Sequence, residues 1–233
     1  MTGVRNTLCN CYETNMSKIK HITLLHYPLS RSVRVKWLLH EMLGEDFTVK
    51  RVALRQGAQF QSEFLAKNPN HAVPVLEVSY EDGSEQIILE SMAMLIWLAD
   101  QDPRFAPPPD DLRARANYLE IMALGGSWMD QMLWNIRLHE TILPKQARNA
   151  DFAQFNRDKI QNEITPQLLR RLENSIYICG DHFSAADCMI GHNLNWARAY
   201  GLCINPVFKA YFKRLATRSA FELAFSDAKE FEG

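Results

Sequence analysis

The sequence predicts two domains, an α/β domain of roughly one hundred residues followed by an all-helical one. Three observations predict it. Strand patterns occur only in the first half, and none appears from Leu112 onward. The segment Pro103-Arg104-Phe105-Ala106-Pro107-Pro108-Pro109-Asp110-Asp111 reads as a stiff linker between halves of different character. Within the first half the elements follow the order β-α-β-α-β-β-α.

Each element has a local reason. Ile22 to His26 is a short buried-strand pattern, broken by Tyr27-Pro28-Leu29-Ser30. From Ser32 the apolar spacing turns helical, with Val35, Leu38, Leu39 and Met42 on one face and Gly44 as the stop. Phe47 to Leu54 alternates as a strand, and a short helix over Ser62–Lys67 stops before Pro69. Val73 to Val78 and Gln86 to Leu89 flank the turn Glu81-Asp82-Gly83-Ser84, so they form an antiparallel hairpin. Ser91 to Asp100 is a helix. This is the thioredoxin-like order, and residues 21–102 are assigned to that domain, 103–111 to the linker and 112–233 to the helical domain.

The helical half reads as four helices. Leu112 to about Ile142 is one long helix with an expected bend at Gly125-Gly126, and Phe152 to Ile176 is a second with an expected kink at Pro166. Ser184 to Tyr200 and Pro206 to Arg218 complete the set. In Phe183-Ser184-Ala185-Ala186-Asp187-Cys188, Ser184 and Asp187 have capping-box spacing, and Phe183 and Cys188 are placed as a hydrophobic staple. That signature is read as structural rather than catalytic.

Composition excludes several function classes. The chain has 233 residues, 47% hydrophobic and 23% charged, with net charge −1. No basic stripe points to nucleic acid, and no apolar run reaches membrane-spanning length. Residues 1–20 are polar and lack the apolar core of a secretory signal, so they read as a disordered tail, with Met16 as a second candidate start. Cys9, Cys11, Cys179, Cys188 and Cys203 are odd in number and scattered, which predicts reduced thiols and a cytoplasmic setting. Cys9 and Cys11 lack both redox and zinc spacing, so no metal site is expected.

Two segments carry the chemistry. Asn68-Pro69-Asn70-His71-Ala72-Val73-Pro74-Val75-Leu76 sets a proline at the start of an apolar strand, where its missing N–H costs no ladder bond. Leu89-Glu90-Ser91 runs a strand into a helix start, where free N–H groups, a hydroxyl and the positive helix end converge as an anion site. Together they suit a small peptide with a free carboxylate.

These two segments, Ser30-Arg31-Ser32-Val33-Arg34 opening the first helix, and the Phe183–Asp187 cap resemble the soluble glutathione transferase superfamily, from Ile22 to the C-terminus. The resemblance implies the glutathione transferase fold, with glutathione as co-substrate, no cofactor, a small hydrophobic electrophile and a homodimer. It implies that the Val73 backbone, before a cis Pro74, pairs with the cysteinyl part of glutathione. It also implies that Ser91 receives the γ-glutamyl carboxylate and Glu90 the ammonium. His71 stands where the family usually has glycine and Ala72 where a polar residue is common; His71 is a further candidate contact.

The resemblance also implies a thiol-activating group near the end of the first strand. Ser30, four residues before Arg34, stands where serine-type classes keep their serine, and Tyr27 where tyrosine-type classes keep their phenol. Ser30 ranks first, and Ser32 is a minor third. No cysteine occupies this loop, which disfavours the disulfide-exchanging classes. The electrophile pocket is expected between the domains, from Trp128, Met129, Trp134 and Arg137 on the long helix, with His139, Trp196 and Arg198 fainter. Transferase, peroxidase, isomerase and dehalogenase activities all remain open. The competing reading is a non-catalytic glutathione-binding or protein-interaction module on the same fold.

Overall fold

The computed structural model describes residues 18–231. The expectations for Cys9, Cys11 and Met16 lie outside the described residues. A four-stranded sheet in the order β2-β1-β3-β4 forms the N-terminal domain, from β1 (Ile19–His26), β2 (Thr48–Arg51), β3 (Val75–Tyr80) and β4 (Glu85–Ile88). β1 and β2 are parallel, joined across helix α1 (Ser32–Leu43), while β3 is antiparallel to both β1 and β4. α2 (Ser62–Lys67) and α3 (Ser91–Ala99) complete the domain.

The strand limits differ from the sequence reading for backbone reasons. β1 begins at Ile19, inside the segment expected to be a tail, because Ile19 pairs with Tyr80. β2 stops at Arg51 rather than Leu54, since its partner β1 ends at His26 and Leu54–Gln56 coils into a 3-10 turn. β3 starts at Val75 rather than Val73. The Val73–Pro74 bond is cis, and Pro74 has no N–H to enter the ladder.

α1 is buried on nearly every side: Val33, Val35, Trp37, Leu38 and Leu39, but also Arg34 and Lys36. It lies between the sheet and the helical domain. That domain comprises α4 (Leu112–Ala123), α5 (Asp130–Arg137), α6 (Ala150–Lys159), α7 (Thr165–Leu172), α8 (Ala185–Ala199), α9 (Pro206–Leu215) and α10 (Ser219–Phe225). α10 has no counterpart in the sequence reading. It docks on α1 through Phe221, whose ring meets Trp37 edge-on at 5.0 Å.

The long helix is continuous from Leu112 to Ile142, but π-helical turns at Leu124–Met129 and Leu138–Ile142 interrupt its α geometry. The expected bend at Gly125-Gly126 is the first of these turns. A Cβ on Gly125 would lie 2.6 Å from Met189 Cγ and one on Gly126 2.7 Å from Met92 Sδ, so the pair serves close approach to α8 and α3. A π turn at Ile160–Ile164 likewise precedes Pro166, and α7 ends at Leu172, short of Ile176. The linker is docked rather than free: Phe105 is buried and its carbonyl accepts the Ala185 N–H at 2.9 Å.

Asp187 ties this half together. It accepts from the N–H groups of Ser184 (2.8 Å) and Ile178 (3.0 Å) and from the Tyr211 hydroxyl (2.6 Å). Ser184 and Asp187 form the capping box of α8, a cap worth ~1 kcal/mol. Cys179, Cys188 and Cys203 are free thiols. Among the described residues no helix is long and apolar enough to cross a membrane.

Candidate functional site

The chain leaves β1 at His26 and must turn before α1, so residues 27–31 form a loop at the end of the sheet. The turn ending in cis Pro74 lies beside it. Between them and the helical domain is a cavity of about 240 Å³ whose walls include Ser30, Tyr27, His71, Val73, Trp134 and Arg137. Residues that follow β1, residues that precede β3 and residues of α5 thus meet in one cleft. His71 sits at φ 44°, a left-handed value that favours glycine, and its ring packs at 5.1 Å on Phe60. Asn68 shapes the turn: its Nδ2 donates to the Ala72 carbonyl at 2.7 Å and its Oδ1 accepts the Asn70 N–H at 3.0 Å. The β1–β3 ladder closes at Leu25–Val75, so Val73 stands beyond its last pair, facing the cavity.

Ser30 precedes the first turn of α1. Its hydroxyl donates to the Tyr27 carbonyl at 2.7 Å and lies 2.7 Å from Ser32 Oγ. Ser32 is fully buried and does not line the cavity. Tyr27 is also buried, with Phe231 edge-on at 6.0 Å and the Arg51 guanidinium over its ring at 5.8 Å.

Two arginines hold the domains together beneath the cleft. Arg31 lies between the Trp134 and Trp196 rings, at 5.0 and 5.3 Å, and its Nε donates to Asp130 at 2.7 Å. Arg34 is 1% exposed. It donates to Asp130 Oδ2, to Asn193 Oδ1, to His192 Nδ1 at 3.1 Å and to Ser91 Oγ at 3.2 Å. Burial opposes charge on Asp130, but the Arg34 and Arg31 guanidiniums outweigh it and hold its carboxyl below the ordinary value. His192 is driven down to about 3 by burial and then by Arg34, so its neutral ring accepts from Arg34.

Not every candidate reaches the cavity. Ser91 is buried with its hydroxyl turned to Arg34, Pro74 is buried, and Glu90 is exposed at the start of α3; none lines the cleft. Glu90 holds φ 66°, a strained value for a residue with a Cβ. Met129 is fully buried in the core, and Trp128 faces outward with the Lys159 ammonium over its ring at 5.5 Å. Helical spacing explains the split. Asp130, Trp134 and Arg137 share one face, whereas Met129, Leu133 and Ile136 share the core face. Trp128 and Met129 are therefore removed from the expected electrophile pocket by register.

Sequence reasoning missed several wall residues, among them Gln59, His192 and Phe231. Gln59 Oε1 is buried without a hydrogen-bond partner among the described residues. The polar run around Gly57 was its only sequence signal. Phe231, near the C-terminus, had none. A second lobe of about 200 Å³ adjoins the cleft, between Trp196, Tyr200, Phe225 and Phe231, sharing Arg137 with it.

Comparison with known proteins agrees with this architecture. Residues 20–100 match the family model for the glutathione S-transferase N-terminal domain, and residues 158–214 match one for the C-terminal domain. The chain is 29% identical over 180 residues to the disulfide-bond oxidoreductase YfcG of Escherichia coli strain K12, covering 75% of this chain and 81% of that protein. It is 25% identical over 187 residues to the glutathione S-transferase GstA of Escherichia coli O157:H7, covering 78% and 87%. Its fold matches that of a glutathione transferase from Burkholderia graminis, solved with two glutathione molecules bound per subunit, at a TM-score of 0.80, with 20% identity, over 91% of this chain and 90% of that one. A glutathione transferase from Methylococcus capsulatus superposes at a TM-score of 0.76, with 24% identity, over 90% and 100%. With both domain models matched in tandem on a thioredoxin-like sheet and a helical domain, this chain belongs to the glutathione S-transferase superfamily.

Proposed function

We propose that the chain binds glutathione in the interdomain cleft and uses the Ser30 hydroxyl to hold its sulfur as thiolate, which then attacks an electrophilic or peroxide co-substrate. The observation that carries this reading is Ser30 and Val73 on the walls of one cavity, at the start of α1 and beside a cis-proline turn. In this reading the Val73 backbone pairs with the cysteinyl residue, and His71 flanks it. Outside the cavity itself, the γ-glutamyl carboxylate takes the backbone N–H groups at the N-terminus of α3, at Ser91, and the exposed Glu90 meets the ammonium. A free thiol has a pKa of about 8.5, so the site must favour the anion by hydrogen bonding and by the positive potential at the start of α1. Ser30 is preferred to Tyr27 because the phenol is packed under Phe231 and Arg51.

The lobe between Trp196, Tyr200, Phe225 and Phe231 suits a small hydrophobic electrophile, with Arg137 at its boundary for an anionic substituent. The name of the YfcG relative adds disulfides to the co-substrates to be assayed. Calorimetry with glutathione, together with the ultraviolet thiolate absorbance of the bound form, tests the reading. Saturable binding with a thiolate signal at neutral pH is the expected result. Binding without thiolate favours the non-catalytic module, and no saturable binding at millimolar glutathione overturns the assignment.

A cytoplasmic homodimer belongs to the same proposal. Ile87 on the edge strand β4 is 44% exposed, and Leu112 and Leu119 on α4 are 77% and 40% exposed, an apolar surface for a second copy. Sedimentation equilibrium is expected to return twice the 26.9 kDa chain mass.

A further inference from the structure

Behind Ser30 runs a chain of hydrogen bonds that the glutathione site does not use. Ser30 Oγ lies 2.7 Å from Ser32 Oγ, which lies 2.7 Å from His26 Nδ1, and His26 Nε2 lies 2.9 Å from Asp227 Oδ2. His26 and Ser32 are at most 1% exposed, and Asp227 follows α10 in the other domain. The cavity is at one end of this chain and a carboxylate at the other.

Counting protons fixes the direction of each bond. Burial opposes charge on Asp227, but hydrogen bonds from His26 and from Lys36, whose Nζ donates at 2.8 Å, hold the carboxyl down at about 2. The carboxylate accepts only, so His26 Nε2 carries the ring proton. Burial lowers the His26 pKa, against the pull of Asp227 and with the help of Lys36 and Arg51, so the resting ring is neutral at pH 7. Its Nδ1 is then an acceptor, and Ser32 O–H donates to it at 2.7 Å in preference to the Tyr27 carbonyl at 3.1 Å. The Ser32 oxygen also accepts the Tyr27 N–H at 3.2 Å. The Ser30 proton is left with two acceptors, Ser32 Oγ and the Tyr27 carbonyl, both on the protein side. In this state Ser30 offers the cavity a lone pair and no proton, the wrong polarity for holding a thiolate and the right one for receiving a thiol proton.

We infer that His26 is the acceptor of the thiol proton, reached through Ser30 and Ser32, with Asp227 stabilising the imidazolium that results. This rests on the reading of Ser30 as the thiol-activating group and adds the base which that reading lacks. The thiol S–H proton passes to Ser30 Oγ as the Ser30 proton passes to Ser32 Oγ and the Ser32 proton to His26 Nδ1. Three bonds to hydrogen break and three form. One proton moves from sulfur to imidazole, and the net charge is unchanged. Afterwards every bond has reversed: His26 Nδ1–H donates to Ser32, Ser32 to Ser30, and Ser30 to the thiolate. The imidazolium is held between Ser32 and the Asp227 carboxylate, whose hydrogen bond and charge offset part of the burial cost. His26 touches no substrate, so it is a positioning residue.

The test is the thiolate absorbance of bound glutathione titrated against pH in the full chain, with affinity for S-methylglutathione, which has no thiol proton, measured in parallel. H26Q and S32A are expected to raise the apparent pKa of the bound thiol by about one unit, tenfold less thiolate at any pH below both values. Their S-methylglutathione affinity should stay at the wild-type value. D227N, a change at a partly exposed site, is expected to shift the titration in the same direction. If H26Q fails to fold, S32A and D227N decide the question. Wild-type titration curves in S32A and D227N, alongside a shifted curve in S30A, overturn the relay and leave Ser30 in place. An unshifted curve in S30A itself overturns the Ser30 reading and the relay with it.

Discussion

Alanine at Ser30 is expected to lower kcat/KM for an electrophilic co-substrate by about 10²-fold, the usual loss when one donor to a developing anion is removed. Affinity for glutathione should change little, because the turn at Val73–Pro74 and the start of α3 remain. The loss therefore falls on thiolate formation rather than on binding. Its pH dependence identifies the cause. Without the hydroxyl, the bound thiol returns toward the free value of about 8.5, so the deficit is greatest at and below neutrality. It shrinks as pH rises through that value, where solvent ionises the sulfur unaided. Steady-state rates of S30A and wild type from neutral to alkaline pH check this. Intact turnover in S30A with abolished turnover in Y27F would reverse the ranking of the two candidates.

Asp130→Ala is expected to destabilise the fold by about 3–5 kcal/mol, read as a lowered urea midpoint at unchanged m-value. The reason is what remains. Arg34 is 1% exposed, and among the described residues its only anionic partner is Asp130. Removing the carboxylate strands a guanidinium among Ser91, His192 and Asn193, which accept hydrogen bonds but carry no compensating charge. Arg31 also loses its partner, but its side chain is 32% exposed and stacked between two indoles, so it contributes little. The double variant R34M/D130L should recover part of the loss, because two apolar groups of similar size leave no buried charge. The pair also gives stability an acid limit. The Asp130 pKa is depressed in the folded state, so its contribution is present above the ordinary carboxylate range and is lost as pH falls through the folded value. A D130A loss that is small at neutral pH would mean that Arg34 is hydrated in the native state.

Much of the fold was legible because it rests on local rules. Pro74 predicted a strand start, the family resemblance implied its cis bond, and the missing N–H moves the ladder start to Val75. The Ser184–Asp187 spacing predicted the cap of α8, where the structure has it. The long helix was legible in extent but not in register. Its first π turn lies where Gly125 and Gly126 let the helix approach Met189 and Met92 closely, an approach that periodicity does not contain. Which face of the helix meets the cleft is set by packing: Trp134 and Arg137 line it, whereas Met129 is in the core and Trp128 faces outward. α10 was missed because its seven residues are too short to show a periodic face, and packing on Trp37 stabilises it.

By itself the sequence determined the order of elements, the proline turn before the third strand, the helix starts and the hydroxyl-bearing loop after the first strand, since each depends on residues a few positions apart. Tertiary structure alone decided how Arg34 is neutralised, which face of the long helix meets the cleft, and that His26 finds Asp227 201 residues along the chain. A buried charge, or a ring between a hydroxyl and a carboxylate, acquires its protonation state from atoms that folding brings within about 3 Å, and no spacing along the chain encodes that distance.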